Sequence, residues 1–136
     1  MNESREADAS DLRAWWFSSI HDLSDASLQR RTWLDPANRN PHWSYVEFVC
    51  SFPDDNQLRH AHQQGWLAAD EFAVLSDMRG ALAAYAPPKN DNYDNAAILD
   101  DPNWHAVVEA AGQAKQFLFS RTSSSRERAA LNGKLS

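Results

Sequence analysis

The chain has 136 residues, a mass of 15.4 kDa and a formal net charge of -6, and these values limit its architecture and its partners. A chain of this length buries one hydrophobic core without cross-links, and its single cysteine excludes an internal disulfide. Because an acidic protein repels nucleic-acid phosphates, we do not expect it to bind DNA or RNA directly.

The sequence shows neither a secretion signal nor a membrane span. Its N-terminus has no basic start followed by an apolar run, and no stretch approaches the roughly 18 consecutive apolar residues that a membrane helix requires. We therefore expect a cytoplasmic protein that does not contact a membrane.

The N-terminal part predicts two helices. Residues 1–7 are polar and are expected to fray, so the first helix is predicted to begin near Asp8 or Ser10, whose side chains suit an N-cap. Its apolar residues recur at helical spacing: Leu12, Trp15, Trp16, Ile20 and Leu23. A second helix, capped by Ser24 or Asp25, is predicted to reach Leu34, because the proline that follows Asp35 pushes that residue out of the helical region.

The segment over residues 40–52 predicts a mostly buried helix. Asn40 suits an N-cap and Pro41 suits the first helical position, where no amide donor is needed. Two adjoining apolar stripes follow: Trp43, Tyr45, Val46, Phe48, Val49, Cys50 and Phe52. We expect Cys50 to be a small buried hydrophobic residue. The aromatic and β-branched content leaves a strand over residues 43–52 as the alternative.

The second half predicts four more helices. The turn at residues 53–56 provides a cap for a short polar helix over residues 57–64, which Gly65 ends. A long helix over residues 68–85 stops before two prolines, a short helix is allowed over residues 94–99, and Asp101-Pro102 begins a helix that reaches residue 119.

These elements predict an all-α, single-domain bundle of about five to seven helices over residues 1–120. The predicted core joins the two longest amphipathic faces. One face consists of Trp104, Val107, Val108, Ala111 and Leu118, and the other of Phe72, Leu75, Met78 and Leu82. Residues 121–136 form a polar, basic tail that is expected to lie outside the core, with a short helix allowed over residues 125–131.

No arrangement of residues in the sequence predicts catalysis, a metal site or a cofactor. His60 and His62 are two residues apart, so a helix directs them to different faces, and no cysteine lies near them. The doublets at residues 54–55 and 100–101 stand at helix starts, where carboxylates cap backbone amides. The sequence has no nucleophile elbow, no phosphate-binding glycine loop and no dinucleotide fingerprint.

Acidic residues are concentrated in the middle of the chain, and this asymmetry is the strongest functional signal from composition. Residues 50–108 hold nine acids against three bases, whereas residues 121–136 hold one acid against four bases. The pattern is typical either of a solvated face or of a surface that docks on a basic partner. The candidate binding residues, including one loop aromatic, are Asp70, Glu71, Asp77, Asp91, Tyr93, Asp94, Asp100 and Asp101.

Several motifs together resemble one protein family. They are WLDPANRNPHWSYVEFVC, then YAPP, NYD and ILDDPNW, within residues 21–118. This combination is similar to small bacterial immunity proteins that accompany contact-dependent growth-inhibition and other polymorphic toxins. The resemblance implies a protein without catalytic residues that neutralises a cognate toxin domain, often a nuclease, by binding it. The candidate acids come from the charge count and not from the family.

Three hypotheses follow from the sequence. The first is an immunity protein whose partner is a basic, nuclease-like toxin C-terminal domain. The second is a non-catalytic interaction module unrelated to toxins, and the third is a small enzyme without a recognisable motif.

Overall fold

The computed structural model describes the backbone of residues 2–37 and 43–134, and the side chains within these ranges from residue 9 onward. The helices, in chain order, are α1 (Asn2–Ser24), α2 (Ala26–Trp33), α3 (Tyr45–Ser51), α4 (Asp55–Gln63), α5 (Ala69–Ala84), α6 (Asn95–Leu99), α7 (Pro102–Arg121) and α8 (Ser125–Leu131), with a 3-10 turn at Pro88–Asn90 before α6. No strand occurs in these ranges, so the all-α prediction is confirmed and the strand alternative for residues 43–52 is wrong.

Side-chain caps fix where several helices begin, as the sequence predicts. The carboxylate of Asp25 accepts from the amide of Leu28 at the start of α2. Asp54 caps α4 in a reciprocal capping box with Gln57, and Gly65 follows that helix with a φ of 77°. The cap at Asp25 and the stop at Gly65 depend on local chemistry alone and are confirmed, whereas α4 begins at Asp55, two residues before the predicted Gln57.

Two further helix starts differ from the prediction. α1 begins at Asn2, several residues before Asp8. α3 begins after Ser44, whose hydroxyl accepts from the amide of Glu47 at 3.3 Å, while the predicted start at residues 40–41 lies outside the described residues.

The core is built around α1, which packs most extensively against α7 and α8. Phe17, Ile20 and Leu23 of α1 are fully buried, together with Leu118 of α7. The predicted contact between α5 and α7 exists, and Trp104, Val107, Ala111, Leu75, Met78 and Leu82 are buried. Phe72 and Val108 of the same predicted faces are only half-buried.

Two predictions about burial are wrong. The predicted C-terminal tail does not stay outside the core over its described residues, because Ala130 and Leu131 of α8 are fully buried against the bundle and α8 packs on α1. Cys50 is exposed. The side chains that α3 buries are Tyr45 and Phe48, and Cys50 follows Phe48 by two residues, which places it about 200° away around the helix.

Candidate functional site

The antiparallel pair of α5 and α7 positions the candidate acids. Val74 of α5 and Phe117 of α7 line one stretch of the seam between these helices, whereas Ala84 and Asn103 line another. The start of α5 therefore lies beside the end of α7. The candidate residues in the first half of α5 are therefore separated, along the length of the pair, from those in the segment that joins α5 to α7.

Five candidate residues gather where α5 ends and α7 begins, and we call this set the acidic end: Asp91, Tyr93, Asp94, Asp100 and Asp101. The chain from the 3-10 turn through α6 to the first residue of α7 brings them together. The phenol of Tyr85 donates to a carboxylate oxygen of Asp101 at 2.9 Å, which fastens the end of α5 to the start of α7.

Backbone hydrogen bonds hold three carboxylates of the acidic end in place. Asp91 accepts from the amide of Tyr93 at 2.9 Å, Asp94 caps α6, and Asp101 caps α7 by accepting from the amide of Asn103 at 3.0 Å. A cap of this kind explains Asp101 in structural terms, whereas the carboxylate of its neighbour Asp100 caps no helix. The three hydrogen bonds also fix the positions of negative charges at the surface.

Tyr93 is the most exposed large side chain at the acidic end, with 81% of its surface accessible. Two basic residues reduce the negative charge around it. Arg30 of α2 forms an exposed ion pair with Asp100 at 3.3 Å, and Lys89 lies in the 3-10 turn with a φ of 56°. Trp15 is also exposed, at 59%, but it lies on α1 and is not part of the acidic end.

The other three candidate acids do not join the acidic end. Asp70 pairs with Arg121 at 2.8 Å where α5 begins, and Asp77 lies on the exposed side of the α5 and α7 seam. Glu71 is only 7% exposed, so its assignment to a surface that meets a partner is wrong. Its carboxylate forms hydrogen bonds and an ion pair inside the bundle.

Those contacts centre on Arg13 of α1. Its guanidinium donates two hydrogen bonds to Glu71 of α5, at 2.9 Å and 2.8 Å, and two to Glu127 of α8, both at 3.0 Å. The remaining N–H donates to the carbonyl of Trp66 at 2.8 Å. All five donors of the guanidinium are therefore used, and one side chain joins three helices.

The two glutamates have further partners. Glu71 also accepts from the amide of Ala68 at 2.9 Å, and Glu127 accepts from the hydroxyl of Thr122 at 2.7 Å. Burial alone would raise the pKa of Glu71, but the hydrogen bonds from Arg13 and from the Ala68 amide outweigh it and hold the pKa below its ordinary value. The hydrogen bond to Glu71 likewise raises the pKa of Arg13, against the opposing effect of burial.

Arg13 is not among the candidate residues that the sequence predicts, although a signal for it exists. Arg13 precedes Phe17 by four residues and Ile20 by seven, so it stands on the face of α1 that enters the core. A charged residue on such a face requires a partner, which is the signal that identifies it.

A second buried polar group supports the aromatic core beneath the acidic end. The amide nitrogen of Gln29 donates to the carbonyls of Asp22 and Leu23, and its oxygen accepts from Nε1 of Trp104 at 3.0 Å. The Trp104 ring lies 5.4 Å from that of Tyr45 and 5.2 Å from that of Tyr85, between ring centroids. The aromatic core beneath the acidic end is thus tightly packed.

The histidines considered as metal ligands have packing roles. The ring of His62 stacks on Phe72 at 4.6 Å, and its Nδ1 lies 3.2 Å from the carbonyl oxygen of Leu67. The edge of His60 meets Trp66 at 5.5 Å. In the described part of the chain, no three or more His, Cys, Asp or Glu side chains form a group that could hold a metal ion.

Among residues 2–37 and 43–134, no helix is long and apolar enough to cross a membrane. Comparison with protein-family models, with curated proteins and with solved structures finds no match to the chain.

Proposed function

We propose that the chain is an immunity protein that binds and neutralises a cognate bacterial toxin domain through its acidic end. The observation that carries this proposal is the placement of Tyr93, 81% exposed, between Asp91 and Asp94. Exposed aromatic side chains surrounded by polar groups are typical anchors at protein interfaces, where Tyr and Trp contribute a large share of the binding energy.

The charges at the acidic end support a basic partner such as a nuclease domain. Three of its four carboxylates, those of Asp91, Asp94 and Asp101, are fixed by backbone amides, so they lose little side-chain entropy on binding. A basic surface that binds nucleic acid offers complementary charge, and complementary potentials steer the encounter and suppress wrong partners. In this proposal the chain acts in the cytoplasm, has no catalytic role, requires no cofactor and does not contact nucleic acid itself.

A titration of toxin activity tests the proposal. The chain is added in increasing amounts to the purified C-terminal domain of a toxin encoded beside its gene, and residual toxin activity is measured together with complex formation by calorimetry. A protein that neutralises by binding removes activity in proportion to the complex formed. We expect the activity to disappear when the chain reaches the stoichiometry that calorimetry reports.

Two outcomes would contradict the proposal. Full toxin activity in the presence of excess chain, without a complex at micromolar concentrations, favours an interaction module unrelated to toxins. Loss of activity at amounts of chain far below stoichiometric indicates that the chain modifies the toxin catalytically, and it would assign the protein to the enzymes.

A further inference from the structure

An apolar groove follows the exposed seam between α5 and α7, away from α1. One stretch has a volume of about 270 Å³, with Val74, Met78 and Phe117 as its larger side chains. A second stretch, of about 320 Å³, lies toward the end of α5 and is lined by Ala81, Ala84 and Val107, among others. We call the two stretches together the α5/α7 groove.

The dimensions of the α5/α7 groove suit a helix. Its α5 wall runs from Val74 to Ala84, a span of about 15 Å at 1.5 Å per residue, or roughly three helical turns. Alanines provide much of its lining, so the side chains of a docked helix could enter between α5 and α7. Recognition of amphipathic helices generally uses grooves of this kind, with apolar anchors at positions i, i+3, i+4 and i+7.

Unpaired carboxylates flank the groove. Asp77 of α5 lines it directly, and Glu109 of α7 shares a helical face with Gln113, which also lines it, because the two residues are four apart. Within the described residues, neither carboxylate has an ion-pair or side-chain hydrogen-bond partner. Asp77 thus places one negative charge on the α5 wall of the groove, and Glu109 places another beside its α7 wall.

Nearby cations do not neutralise this charge. Arg121 is paired with Asp70 at 2.8 Å, and Nζ of Lys115 lies 3.1 Å from Nδ1 of His21. Arg79 follows Asp77 by two residues, so it projects from a different face of α5.

From this combination we propose that the α5/α7 groove binds an amphipathic helix of a partner protein, with an apolar stripe flanked by lysine or arginine. The identification of that partner as the toxin domain rests on the proposed function, whereas the contact between groove and helix does not. A second copy of this chain fits poorly, because a two-fold contact through the groove would bring Asp77 and Glu109 of both copies together.

A synthetic peptide serves as the probe. It has about 18 residues, with leucines at i, i+3, i+4 and i+7 spacing and lysines at the flanking positions, and a matched peptide carries glutamate in place of every lysine. Binding of each fluorescein-labelled peptide to the full chain is measured by fluorescence anisotropy. We expect the lysine peptide to bind at least about tenfold more tightly than the glutamate peptide, with its affinity falling as salt rises.

Variants locate the binding. Ala110→Arg fills the groove and adds a positive charge, so the affinity for the lysine peptide should fall at least about tenfold. The double variant Asp77→Asn with Glu109→Gln leaves the shape unchanged and should weaken binding by about fivefold. Asp35→Asn with Asp55→Asn removes the same charge elsewhere and should have much less effect. Circular dichroism verifies that each variant is folded.

Each alternative result has a defined meaning. Three results would overturn the inference: the groove variants bind the lysine peptide as tightly as the control variant does, the two peptides bind equally well, or neither peptide binds. If the chain dimerises, Ala110→Arg abolishes the dimer and no peptide binds, then the groove binds a second copy. That result also overturns the inference. Peptide binding without toxin neutralisation would contradict the proposed function and leave the groove inference standing.

Discussion

Arg13 of α1 and Glu71 of α5, 58 residues apart in the chain, meet in a two-bond ion pair with distances of 2.9 Å and 2.8 Å. Glu127 of α8 takes two further donors of the same guanidinium. The three helices that carry these residues also pack against one another or against α7. This network therefore makes the stability of the bundle depend on a few polar side chains, and it leads to the predictions below for Arg13, Glu71 and α8.

The replacement Arg13→Leu should destabilise the protein strongly. Without the guanidinium, two buried carboxylates face each other unpaired, and breaking a buried pair in this way costs about 3–5 kcal/mol. Arg13→Lys should also destabilise, because an ammonium cannot reproduce five donors in a planar arrangement. Urea unfolding measures both changes. Arg30→Leu is the matched control, since the exposed pair of Arg30 with Asp100 contributes about 0.5 kcal/mol or less. Equal losses for Arg13→Leu and Arg30→Leu would contradict the prediction.

The stabilising contribution of Glu71 should disappear in acid. Because its folded pKa lies below its ordinary value, this contribution is fully present above about pH 4.5 and is lost as the pH falls through the folded pKa. Glu71→Gln should therefore be less stable than the wild type at pH 7, and the difference should shrink below pH 4.5. Urea unfolding at a series of pH values measures it. A difference that is constant down to pH 3 would show that Glu71 does not titrate with folding.

Asp22 should affect the pH dependence of stability in the opposite direction to Glu71. Burial, together with the nearby charge of Asp25, raises the pKa of Asp22 to about 6, so the folded state favours its protonated form. Relative to the wild type, Asp22→Asn should thus become more stable as the pH rises from 4 to 7, by about 1–2 kcal/mol after allowance for solvent screening. Comparing the two proteins isolates this effect from His21, whose pKa burial lowers and whose contribution changes oppositely in part of the same range.

Removal of α8 should destabilise the bundle although its sequence is polar. A chain that ends after Ser123 lacks the buried Ala130 and Leu131, and it leaves Arg13 without Glu127. We expect a loss of at least about 3 kcal/mol, measured by thermal or urea unfolding. Leu131→Ala in the full chain tests the apolar part separately and should cost about 2–4 kcal/mol. Unchanged stability in both would show that the segment does not belong to the core.

Local sequence signals account for most of the helix boundaries. The caps at Asp25, Asp54 and Asp101, together with the stop at Gly65, each depend on residues within one helical turn. Local signals cannot show which of two neighbouring acids turns inward. Asp70 and Glu71 both follow the start of α5, yet only Glu71 reaches Arg13, and its burial depends on α1.

The wrong prediction that the C-terminal segment lies outside the core also arises because burial depends on residues far away in the chain. Arginines and serines conceal an α8 whose buried residues are Glu127, Ala130 and Leu131, and Glu127 is buried because Arg13 lies opposite, 114 residues earlier in the chain. The acidic end was partly predictable, because residues 91–101 are close in sequence. The separation of Asp70 and Asp77 from that end follows from the antiparallel packing of α5 and α7, which the charge count does not contain.

The acidic end can be altered without disturbing the helices that it caps. The triple variant Asp91→Asn, Asp94→Asn and Asp100→Asn removes three negative charges, and asparagine retains the ability to cap a helix. A matched control replaces Asp35, Asp54 and Asp55 by asparagine. In the control set, Asp35 accepts from the amide two residues later, as Asp91 does, and Asp54 caps α4, as Asp94 caps α6.

Association rates test binding through the acidic end directly. The rate at which each triple variant associates with the toxin domain is measured by stopped-flow as ionic strength rises from about 0.01 M to about 0.1 M. Over this range the screening length shortens from about 30 Å to about 10 Å. We expect the acidic-end variant to associate at least several-fold more slowly than the matched control at low salt, and with a weaker salt dependence. Equal association rates and equal salt dependence in the two folded variants would contradict binding through the acidic end.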